Sequence, residues 1–112
     1  MEDLWKVEEF KDRQGNNIFR GWLSSLEDPT TEQRIDVYIG RLRRGIFNNC
    51  KPIDGYDAIY ELVMDFGPGY RAYYSRIGKT VLLLLCAGLK KRQNKDVKRA
   101  LALLTEYRNR VE

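Results

Sequence analysis

The spacing of apolar residues changes near Tyr56, and the change divides the chain into a helical first half and a strand-forming second half. In the first half, Phe19, Trp22, Leu23 and Leu26 recur at helical spacing and predict one helix with a single core-facing stripe. Asp28-Pro29 restarts the pattern, because aspartate caps a helix N-terminus and proline fits its first position. Ile35, Tyr38, Ile39 and Leu42 form the apolar stripe of this second helix, and Gly45 is a natural stop after it. Ahead of both helices, residues 5–10 alternate in part and predict a first strand. Gly15-Asn16-Asn17 then predicts a turn whose asparagines can cap the helix that follows. Beyond Tyr56, residues 59–66, 70–77 and 79–87 read as three strands, separated by Gly67-Pro68-Gly69 and by a tight turn at Gly78-Lys79. Such short connections imply antiparallel neighbours, and the unbroken run Val81-Leu82-Leu83-Leu84-Leu85 predicts an inner strand covered on both faces. Residues 88–94 read as a basic loop. A last helix shows Val97, Ala100, Leu101 and Leu104 at helical spacing, with Asp96 near its start. The pattern predicts one small α+β domain over residues 1–112, in the order β-α-α-β-β-β-α.

Charge adds a direction to this frame. The 112 residues carry a net charge of +4, a modest lean toward anionic partners. Its distribution is uneven: residues 34–51 hold five basic side chains against one acid, and residues 90–99 hold six against Asp96 alone. The first twelve residues are instead acidic, so the segregation predicts a basic face. Part of this has a purely structural cause, since cations such as Arg41, Arg43 and Arg44 are favoured in the last turn of a helix. The longest apolar run has seven residues, too short to cross a bilayer, and no signal peptide opens the chain. Cys50 and Cys86 make a weak case for a disulfide, and Cys86 reads as a buried free thiol. A cytoplasmic protein is the resulting expectation.

The complete absence of histidine removes serine–histidine and cysteine–histidine triads, histidine metal sites and histidine acid–base pairs. Two cysteines make a structural zinc site improbable, and no glycine fingerprint for nucleotides appears. Any catalysis must use arginine, lysine, tyrosine, carboxylates or backbone groups. The segment Gly67-Pro68-Gly69-Tyr70-Arg71-Ala72-Tyr73-Tyr74 then stands out. It places Arg71 at the start of a tyrosine-rich strand, just after a turn. A guanidinium held there suits phosphate, because it stays charged and grips two oxygens at once. Arg71 reads equally as a solvated strand residue when this stretch is taken alone.

These residues, taken in order, resemble the HigB-like branch of the RelE/ParE toxins. The resemblance runs through Trp22-Leu23-Ser24-Ser25-Leu26, Asp28-Pro29, the helix end from Arg41 to Gly45, Lys51-Pro52-Ile53 and Glu61-Leu62. It is most specific in the run from Gly67 to Tyr74, and continues through Gly88, Lys90, Gln93, Asp96 and Ala100. Two positions depart from the family pattern. Val63 stands where an arginine is usual, and Ala87-Gly88-Leu89-Lys90 replaces Gly-Gly-Asp-Lys.

The resemblance implies a RelE-like fold and the toxin of a type II toxin–antitoxin module. That toxin would be a metal-independent, ribosome-dependent endoribonuclease that cuts messenger RNA and stops translation. It implies no cofactor and no membrane. Its implied partners are messenger RNA, the ribosome and a cognate antitoxin of helix-turn-helix type, with operator DNA bound only through the antitoxin complex. Arg71 is then the main phosphate-binding and transition-state residue, with Lys90 second. Glu61 stands open as a base, a solvated residue or a salt-bridge partner, and Tyr73 or Tyr74 as a base-stacking group, a proton donor or core. Arg41, Arg43, Arg44, Lys51, Lys91, Arg92 and Gln93 are the implied RNA contacts. Two alternatives share the resemblance: a ParE-like gyrase inhibitor, and an inactive member that binds only its antitoxin.

Overall fold

Side-chain caps start the two N-terminal helices in the computed structural model, which describes residues 3–111. Helix α1 (Ile18–Ser25) begins where Asn17 Oδ1 accepts the backbone N–H of Arg20, and it buries Phe19 and Leu23. Helix α2 (Pro29–Arg43) begins at Asp28, which accepts the Thr30 N–H and the Thr31 hydroxyl. It buries Ile35, Ile39 and Leu42 and ends at Gly45, whose φ of +74° is a left-handed conformation that glycine adopts without strain.

Five strands form one mixed sheet: β1 (Lys6–Glu9), β2 (Cys50–Pro52), β3 (Tyr60–Met64), β4 (Tyr70–Ile77) and β5 (Val81–Leu89). Their spatial order is β1-β5-β4-β3-β2, with β1 parallel to β5 and every other pair antiparallel. Helices α1 and α2 cover one face, where Phe19, Leu23, Ile39 and Leu42 meet Leu62, Tyr74 and Leu84. Helix α3 (Gln93–Val111) covers the other, where Val97, Ala100 and Leu104 meet Ile59, Tyr73 and Leu83. Strand β5 is therefore buried from both sides, which is why it reads as an uninterrupted apolar run. A β-bulge opposite Tyr73 and Tyr74 turns both Leu85 and Cys86 toward α3. The result is an α+β fold, and no helix among the described residues is long and apolar enough to cross a membrane.

Three details differ from the sequence pattern. Strand β2 is an added edge strand, so the order is β-α-α-β-β-β-β-α. Its three residues are too few to show a period, and proline at its end is tolerated at a sheet edge. The basic loop of residues 88–94 is absent as a loop: β5 runs to Leu89, and one 3-10 turn (Lys90–Arg92) leads straight into α3. Leu101 is 37% exposed, because the buried stripe of α3 leans instead toward Leu103 and Tyr107.

Candidate functional site

Strand alternation decides which side chains meet beneath α3. Along β4, Arg71 and Tyr73 point to the α3 face, while Tyr70, Ala72 and Tyr74 point to α1 and α2. Across the ladder, Lys51, Glu61 and Tyr73 form one row, and Val63, Arg71 and Gly88 form the next. The turn before β4 brings in a further cation. Gly67 and Gly69 adopt φ values of +55° and +85°, and the Gly69 carbonyl accepts the Lys90 N–H at 3.0 Å. A Cβ on Gly69 would lie 3.3 Å from the Lys90 side chain, a tight contact that adds to the left-handed backbone in favouring glycine where Lys90 lies against the turn.

The outcome is an open cleft of about 360 Å³ lined by Lys51, Glu61, Pro68, Arg71, Leu89, Lys90, Lys91 and Gln93. Glu61 forms its floor and is only 1% exposed. The Gln93 amide donates to Glu61 Oε2. Lys51 Nζ lies 3.6 Å and Arg71 Nε 3.8 Å from Glu61 Oε1. Both separations allow charge attraction but are too long for hydrogen bonds, and Oε1 has no hydrogen-bond partner. The two cations are thus held near the carboxylate without being locked to it. Arg71 also donates from one terminal nitrogen to the Tyr70 carbonyl at 3.0 Å and to the exposed Asp65 at 3.3 Å. Four cations line the cleft against the one carboxylate of Glu61, so it favours an anion. Among the described residues, no three His, Cys, Asp or Glu side chains group to hold a metal ion.

Arg71, Lys90, Glu61, Lys51, Lys91 and Gln93 therefore come together in one cleft. Tyr73 lies beneath it, fully buried, with an unpartnered hydroxyl. Burial first, and the neighbouring Glu61 charge next, hold that phenol well above its ordinary value of 10.0. It does not reach the cleft surface, so a proton-donor or base-stacking role has no contact to act through. Tyr74 packs on the opposite face, stacked on Tyr60 with ring centroids 5.4 Å apart. Arg92 is exposed beside the cleft, in a shallow hollow with Lys91, Asn94 and Lys95.

Arg41, Arg43 and Arg44 do not join this site. Arg41 stacks over Tyr38 at 4.8 Å, on the α2 side of the sheet. The Arg43 carbonyl accepts the N–H groups of Leu4 and Trp5, which fixes the end of α2 beside the start of β1. Arg44 lines a separate hollow with Gln33 and Asp36. Two acids outside the expected site residues matter locally. Asp65 holds Arg71 at the cleft lip, and its only sequence signal is its place just before the double-glycine turn. Asp96 is buried under Gly88 with one unpartnered oxygen, a placement that only the packing of α3 reveals.

No protein-family model matches the chain. An uncharacterized protein of Haemophilus influenzae is 39% identical over 88 residues, which cover 79% of this chain and 87% of that protein.

Proposed function

We propose that this chain, which belongs to the same family as that Haemophilus influenzae protein, is an endoribonuclease toxin of a type II toxin–antitoxin module that cuts messenger RNA on the ribosome. The observation that supports this reading is the convergence of Arg71, Lys90 and Lys51 around the buried carboxylate of Glu61. In such cleavage the ribose 2′-hydroxyl loses its proton and attacks the adjacent phosphorus. The bond from phosphorus to the 5′-oxygen breaks and that oxygen takes up a proton, leaving a 2′,3′-cyclic phosphate and a 5′-hydroxyl. Negative charge grows on the non-bridging oxygens, and cations already aimed at them lower the barrier without rearranging at the moment of reaction. Arg71 grips those oxygens with Lys90 beside it, while Lys51 and Lys91 hold flanking phosphates. Glu61 is the positioning anion: it is buried, bonded by Gln93 and shared by two cations. A cognate antitoxin of helix-turn-helix type would cover the cleft, and operator DNA would be bound through that complex.

One observation favours a second reading. Val63 faces Arg71 across the β3–β4 ladder, at the place where the resemblance leads one to expect another arginine. A cleft with one guanidinium fits a member that binds a partner, antitoxin or gyrase, without cutting RNA. Controlled expression of wild type and Arg71→Ala in a bacterium separates the readings, with growth and mapped 5′ ends of cellular RNA as readouts. New breaks within translated messages that vanish with Arg71→Ala support the nuclease. Growth arrest with intact messages supports a gyrase-type toxin. Accumulation of soluble wild-type protein with no effect on growth supports the inactive member.

A further inference from the structure

A second cleft of about 420 Å³ adjoins the first, and Lys51 and Gln93 line both. Its chemistry differs from that of its neighbour. Tyr56 and Ile53 give it a half-buried aromatic and aliphatic wall, Asn94 gives it an amide edge, and Lys98 adds a second cation to Lys51 against the one acid Asp54. The Asn94 side chain is exposed and has no hydrogen-bond partner among the described residues.

The loop that supplies Tyr56 is built to hold its shape. The Ile53 N–H donates to the Ile59 carbonyl at 3.0 Å, the Tyr56 N–H to Ile53 at 3.2 Å, and the Ile59 N–H to Tyr56 at 3.1 Å. Ala58 sits at φ +72°, a left-handed conformation that a residue with a Cβ adopts only when its surroundings impose it. Ile59 beside it is fully buried in the core under α3, and Tyr56 packs its ring body against the same core. The ring is thereby fixed before any ligand arrives.

We infer that this second cleft is a nucleobase subsite, which receives the unstacked base next to the phosphate held by Arg71 and Lys90. The inference rests on the proposed ribonuclease reading. Single-stranded RNA is recognised by stacking a splayed base on an aromatic ring and by reading its edge with an amide or backbone group. Tyr56 supplies the ring and Asn94 the edge reader. Lys51, shared by the two clefts, bridges them along the sugar-phosphate chain. A base seated here makes the protein choosy about nucleotide identity, which the cations of the first cleft cannot do.

The test uses the full chain and two uniformly 2′-O-methylated hexanucleotides, which cannot be cut. One carries purine bases, and the other is abasic with the same phosphates. Wild type is expected to bind the base-bearing strand about tenfold more tightly, the scale of one stacked base. Asn94→Ala, a change at an exposed position, and Tyr56→Leu should each close most of that gap and leave affinity for the abasic strand unchanged. Equal wild-type affinity for the two strands overturns the subsite, and it does so without any variant that must fold. Arg71→Ala separates this failure from failure of the parent reading, because it should weaken both strands alike. If Arg71→Ala changes neither affinity, or wild type binds neither strand, the phosphate cleft fails and the subsite falls with it.

Discussion

Gly88 stands opposite Arg71 in the β4–β5 ladder, and its missing side chain sets how closely α3 approaches the sheet. A Cβ there would overlap Asp96 Oδ2 and sit 3.1 Å from Asp96 Cγ. Gly88→Ala should therefore cost about 1–3 kcal/mol by overpacking. In an Asp96→Ala background most of that cost should disappear, a coupling that a double-mutant cycle by urea denaturation measures directly. Asp96 also carries a pH signature. Burial raises its carboxyl above the ordinary value of 3.8, against an opposing pull from Arg92 and Arg99. The folded chain thus holds this proton more tightly than the unfolded chain does. The stability so gained is complete below 3.8 and is lost as pH rises through the folded value. Glu9 acts in the opposite sense. Its hydrogen bonds to Arg20 lower it from 4.5, so its contribution is present above 4.5 and is lost as pH falls through the folded value. Asp96→Asn removes only the first effect. It should melt higher than wild type at pH 7, with a gain that shrinks as pH approaches 4, as followed by circular dichroism. A gain independent of pH would rule out the buried carboxylate as its source.

At the scale of elements, β3, β4 and the first turn of α3 act as one unit through Glu61 and Gln93. Glu61 lies across the ladder from Tyr73 and one row from Arg71, so it can orient two cations that arrive from different strands. Glu61→Gln keeps the shape and removes the charge that gathers Lys51 and Arg71. A shift of roughly 1 Å in a group at a reacting centre costs about 100-fold in rate. We expect a loss of that order in RNA cleavage, with the protein still folded and Arg71 still present. If cleavage is unchanged, Glu61 is a packing residue and no more. This unit was partly legible beforehand. The glycine turn, the alternation of Tyr70, Arg71 and Tyr73, and the pairing of neighbouring strands all follow from local spacing. The partner of Glu61 did not, because Gln93 lies in a segment read as a loop, and helix α3 starts there only once Lys90–Arg92 forms a turn. Strand β2, which carries Lys51 into the cleft, was too short to leave a pattern. Tyr73 shows the converse: two adjacent tyrosines on a strand must face opposite sides, but the sequence does not say that both sides are buried.

Over the whole molecule, the arginines at the end of α2 and the lysines after β5 lie at different places on the fold. The end of α2 is tied to the start of β1, where Lys6 pairs with Val81 at the first residue of β5. Lys90 follows the last residue of that strand. The eight steps between the first and last residues of β5, at about 3.3 Å each, separate the two groups by roughly 26 Å. Arg41 lies on the α2 side of the sheet, whereas the cleft opens on the α3 side. Exposed charges that far apart are screened from each other at physiological salt, where the Debye length is about 8 Å. The cations at the end of α2 and those of the cleft, where Lys51 joins Lys90 and Lys91, thus form two basic regions rather than the single face that the charge counts suggested. A short RNA seated in the cleft meets Lys90 and Lys91, whereas Arg43 and Arg44 lie outside the cleft. Each phosphate contact to a single strand contributes about 0.7 to the slope of log affinity against log salt. The double change Lys90→Ala and Lys91→Ala should therefore flatten the slope for an uncleavable hexanucleotide by about 1.4, the sum of two such contacts. Arg43→Ala with Arg44→Ala should leave both slope and affinity unchanged within about twofold, because the Arg43 carbonyl that anchors β1 survives the substitution. If the α2 variant flattens the slope as much as the cleft variant does, the RNA path crosses the sheet edge and the cleft is only one station along it.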